Sequence, residues 1–135
     1  MREIKFRAWN KEKNIMCYEN EDNSAGYLDG WIASDIQVIN QTLNSDFTKE
    51  TYDFMEFTGL KDKNGKEIYE GDIVAEKGHY VNSDRLVYQK IQWKENYSCW
   101  LRGEYQRLTP KNIKTYQIEV IGNIYDNPEL LETQN

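Results

Sequence analysis

The chain has 135 residues, a formal net charge of −6, 30% charged residues and 13% aromatic residues. That length suits one domain with a core of its own, and the aromatic content is too high for a disordered polar chain. No apolar run approaches the roughly 20 residues of a membrane helix, the charged start MREIKFRAW is unlike a signal peptide, and two cysteines make neither a disulfide framework nor a zinc cluster.

In chain order, Ile4, Phe6 and Ala8 alternate with Lys5 and Arg7. Period two predicts a half-buried strand over 3–9. A polar turn at 10–14 leads to a return strand, Ile15-Met16-Cys17-Tyr18, completing a hairpin. Residues 19–30 predict a long acidic loop. Residues 31–43 fit either a helix behind Ser34 or a strand rich in β-formers, the strand being preferred. Asn44-Ser45-Asp46 marks a turn. TYDFMEFT at 51–58 predicts a central strand with apolar residues on both faces.

Asp62-Lys63-Asn64-Gly65 is the clearest turn in the chain. Short strands are predicted at 66–69 and 73–76, separated by the turn Glu70-Gly71-Asp72, and a polar loop at 76–85. Further strands are predicted at 86–93, 98–102 and 117–121, with Pro110-Lys111-Asn112 as an interruption between the last two. Asn127 and Pro128 predict one helical turn, with Asn127 as its cap and Pro128 at its first position. Short strands at turn-marked intervals predict an all-β protein with little helix. An amino-terminal antiparallel hairpin or sheet unit, about 1–57, would pack on a small SH3-like partial barrel, about 58–135. Both would be parts of one domain spanning 1–135.

Three blocks, MREIKFRAWN at the start, FTGLKDKNGKEIYEGDIV at 57–74 and IEVIGNIYDNPELLE at 118–132, resemble the YopX family of phage and prophage proteins. The resemblance implies a mainly β fold, a gene carried by bacteriophages or prophages, and action in the host cytoplasm. It implies no activity and no site residues.

The residues themselves argue against several chemistries. Asp62, Asn64, Glu67, Glu70 and Asp72 crowd oxygens together, but an EF-hand register fails because Lys66 falls at the fifth position and Gly65 at the fourth. Two tight turns bounding a short strand are the expected structure. His79 is the sole histidine, and Cys17 and Cys99 have no CxxC or histidine partner; a loop histidine and two small strand side chains are expected. No catalytic residue, metal or cofactor is predicted.

Charge is uneven. Residues 1–57 carry six Lys/Arg against eleven Asp/Glu, and residues 58–135 eleven against twelve. Arg102, Arg107, Lys111 and Lys114 are opposed only by Glu104, and Tyr105 and Tyr116 bracket the loop that carries the two lysines. This basic-aromatic segment is the candidate partner-binding site. Tyr88, Trp93, Tyr97 and Trp100 precede it, with the two tryptophans expected in the core. A non-enzymatic phage accessory protein is the leading expectation. Its partner would be a host or phage protein, or a second copy of this chain, and no membrane. Nucleic-acid binding through cations and stacked rings is the alternative, and a small hydrolase comes third.

Overall fold

The computed structural model describes residues 5–18, 52–77 and 85–132. The chain divides into two compact units, Met1–Glu56 and Phe57–Asn135. Of the described residues 55% are strand and 12% helix, so the fold is all-β. The expected loop at 19–30, the ambiguous segment 31–43, the turn at 44–46 and His79 lie outside the described residues.

In the first unit, β1 (Phe6–Asn10) and β2 (Ile15–Tyr18) form an antiparallel hairpin with Arg7 opposite Tyr18 and Asn10 opposite Ile15. Asn10 builds the turn: its side-chain oxygen accepts from the Glu12 and Lys13 amides at 3.0 and 3.1 Å. Asn14 takes the left-handed conformation, φ 56°, that asparagine tolerates better than most residues. The first half of β3 (Tyr52–Lys61) pairs with the other side of β1, with Ala8 opposite Phe54. Ala8, Cys17 and Tyr52 are the core of this unit, with Phe6, Ile15 and Phe54 packed against them. The alternation of β1 is as expected, but its other face is also covered. Arg7 and Trp9 are both buried, and the Arg7 guanidinium lies 5.9 Å from the Tyr18 ring.

In the second unit, the end of β3 pairs with β4 (Glu67–Tyr69) through a register shift between Phe57 and Lys61. Gly59, at φ 86°, supplies the backbone freedom this irregularity needs. A five-stranded antiparallel sheet follows, built from β5 (Asp72–Lys77), β6 (Leu86–Lys94), β7 (Cys99–Arg102), β8 (Gln106–Arg107) and β9 (Glu119–Asn123). Its order is β8-β7-β6-β5-β9, and it curls into a half-barrel. Ile68, Val74, Ile91, Trp100, Leu108, Ile113, Ile118 and Val120 fill it, with Leu60 and Tyr116 against them.

Three expectations change. Pro110-Lys111-Asn112 does not interrupt: it begins helix α1 (Pro110–Tyr116). Thr109 caps it, its hydroxyl accepting from the Asn112 amide at 3.0 Å, and Pro110 sits where no intrahelical N–H is required. Ile113 enters the core, and Gln117, expected in a strand, is the left-handed residue that ends the helix. The strand expected at 73–76 runs on, so that Lys77 belongs to β5 rather than to a loop. The final turn, α2 (Glu129–Glu132), starts one residue past Pro128, and the Asn127 side chain accepts from the Asn123 amide at 3.3 Å instead of capping it.

Candidate functional site

The acidic turn is tied up in backbone bonding. Asp62 is buried; one of its oxygens accepts from the Asn64 and Lys66 amides at 2.8 and 2.9 Å. The other accepts from the Val120 amide on β9 at 2.8 Å. Asp72, also buried, accepts from the Tyr69 amide at 2.7 Å. Both carboxylates therefore hold turns, as expected. Among the described residues no group of three or more His, Cys, Asp or Glu is placed to hold a metal ion. Cys17 is buried in β2 and Cys99 half-buried in β7, both as free thiols.

Of the two core tryptophans expected, Trp100 is buried while Trp93, opposite it on β6, is 38% exposed. Their rings meet edge to face at 5.2 Å, a favourable aromatic geometry. Tyr97 and Tyr105 are exposed, the latter by 79%.

The basic-aromatic segment divides into an inner and an outer part. Arg102 is the correction: it is only 1% exposed and is no surface cation. Strand alternation puts it on the face of Trp100, and there its Nε donates to Glu76, which is fully buried. Its Nη1 donates to the Arg107 carbonyl. Its guanidinium carbon lies 5.0 Å from the Tyr116 ring centre, so Tyr116 is turned inward as well. A charge this deep is tolerable because it is paired and hydrogen-bonded. The same period was readable in the sequence. Val74/Glu76 and Trp100/Arg102 are both i, i+2 pairs, so each charged residue shares a face with an apolar one.

Tyr105, Arg107, Lys111 and Lys114 remain outside, all exposed. Arg107 lies on the edge strand β8, and Lys111 and Lys114 are one turn apart on α1, which makes them neighbours on the helix surface. None of these three cations forms an ion pair among the described residues, and no Asp or Glu occurs between Tyr105 and Gln117. Glu104, the nearest acid in sequence, is engaged by Lys94 at 3.2 Å. That hydrogen bond, with the ammonium charge, holds its carboxyl below the usual range. The result is a small basic ledge on β8 and α1, with the exposed ring of Tyr105 two residues before Arg107.

Fold and ledge together define a mainly β protein with a half-barrel that carries a cationic surface helix. Residues 5–132 match the family described as YopX protein, and the chain belongs to that family. It is similar in fold to the crystal structure of protein EF1440 from Enterococcus faecalis. The two are 24% identical, with a TM-score of 0.60 over 97% of this chain and 99% of that one. No curated protein matches the chain.

Proposed function

We propose that this protein is a non-enzymatic accessory factor of a phage or prophage that works in the host cytoplasm by binding an acidic surface of another protein. The half-barrel is read as an SH3-like scaffold, an architecture that serves many ligands and by itself names none. The observation that carries the proposal is the ledge. In a chain of net charge −6, Arg107, Lys111 and Lys114 stand exposed and, among the described residues, without ion pairs, with exposed Tyr105 two residues before Arg107. Exposed Tyr and Arg are the residue types that anchor protein interfaces, whereas an acidic molecule repels polyanions outside such a patch. The non-enzymatic reading is supported by Asp62 and Asp72, whose carboxylates serve backbone amides.

The experiment compares three ligands of the purified protein: an oligoglutamate peptide, a single-stranded thymidine oligonucleotide, and a second copy of the chain followed by sedimentation. Binding of the peptide, abolished by R107E/K111E/K114E, is expected. Oligonucleotide binding with a steep salt dependence would instead favour the nucleic-acid reading, and a reversible dimer disrupted by the triple variant would make the chain its own partner.

A further inference from the structure

Arg102 touches both ends of the segment that carries the ledge. We propose that it is the positioning residue of this site, an inference that rests on the binding role proposed above. Its guanidinium bonds Glu76 on β5 and the carbonyl of Arg107 on β8, and it faces the ring of Tyr116, the last residue of α1. The Arg107 carbonyl also accepts from the Asn112 side chain at 3.0 Å, which ties the first turn of α1 to the same point. From Arg107 to Tyr116, the stretch holding all three ledge cations is thus clamped at its start and its end by one buried side chain.

The helix needs such a clamp. At seven residues α1 is too short to be stable through its own hydrogen bonds. Ile113 seats its middle in the core and Tyr116 packs its end against the same cluster, and the guanidinium fixes the ring of that second anchor. The guanidinium suits the task because its planar fork can reach an acid and a carbonyl together while its charge attracts a ring. The Glu76 carboxylate is held in turn, since its other oxygen accepts from the Gln89 side chain at 3.4 Å.

A stabilising role and a positioning role are separable. Removing one member of a buried ion pair strands the other, but replacing both with apolar side chains of similar size often leaves stability unchanged or raised. The variant E76L/R102M should therefore melt near the wild type while removing the guanidinium from the Arg107 carbonyl, which keeps only Asn112, and from the Tyr116 ring. Amide hydrogen exchange within 110–116 is expected to accelerate roughly tenfold, and affinity for an oligoglutamate peptide to fall by about tenfold. The second pair of variants is Y116L and Y116F. Y116L removes the ring and should reproduce both effects, whereas Y116F keeps the ring face and should restore both. If the double variant unfolds, this pair decides. Wild-type exchange across 110–116 in Y116L, or in a folded E76L/R102M, overturns the proposal. If the wild type itself does not bind oligoglutamate, the binding role falls, and the exchange data alone judge whether Arg102 fixes the helix.

Discussion

Asp62 uses both carboxylate oxygens on main-chain amides, two in its own turn and one on β9. Replacing it with alanine strands the buried Val120 N–H and removes two further charge-assisted bonds. At about 1–3 kcal/mol for a buried group left unpaired, D62A is expected to cost about 3 kcal/mol in urea unfolding. D62N, which keeps one acceptor, should lose less. Because these oxygens are already engaged, neither calcium nor a chelator should move the melting temperature by a measurable amount. Glu104 offers a second check. Its carboxyl is lowered chiefly by the Lys94 hydrogen bond. A depressed folded-state pKa contributes stability above the unfolded pKa, and that contribution is lost as pH falls through the lowered value. The group is exposed, so the effect on stability is slight. An NMR titration should find Glu104 below the ordinary glutamate range, and K94M should raise it while Gln92 and Lys90 still hold it down in part.

At the scale of elements, the strands of the second unit were legible because turn residues punctuate runs of β-branched and aromatic side chains. Gly65, at φ 85°, closes the turn expected at 62–65. Helix α1 was not legible. Its only inward apolar positions are Ile113 and Tyr116, too few for a helical period to stand out, and Pro110 looks like a breaker unless Thr109 is recognised as the cap before it. Its neighbourhood also protects an edge. The β8 carbonyl at Arg107 accepts from Arg102 and Asn112; on β9 the Val120 amide donates to Asp62, and just before that strand the Ile118 carbonyl accepts from the Lys63 amide. Sheet edges left open invite unwanted strand pairing. T109A should cost about 1 kcal/mol through the lost cap and I113A about 2–5 kcal/mol through the emptied core. Circular dichroism melts and amide exchange over 110–116 would measure both.

At the scale of the molecule, the acidic balance makes a basic ledge conspicuous. The sequence located that ledge but assigned Arg102 and Tyr116 to its surface. A local charge count cannot tell which side of a strand a cation occupies, and only the alternation of Trp100 with Arg102 carried that information. Tyr105 now stands as the exposed ring of the site. Once a protein partner is purified, Y105A should weaken binding by about 1–2 kcal/mol and K111A by less than about 0.5 kcal/mol, because a buried ring loses more than a screened rim charge. Added salt should slow association more than it speeds dissociation.

The triple variant R107E/K111E/K114E probes the ledge most directly, because its three positions are exposed and outside the core. Calorimetric titration of a purified acidic partner into wild type and variant, with matched melting curves, is the decisive measurement. The expected result is a folded variant with binding lost by at least about tenfold, or 1.4 kcal/mol. A folded variant that binds that partner with wild-type affinity would contradict it and leave the ledge as solvated surface.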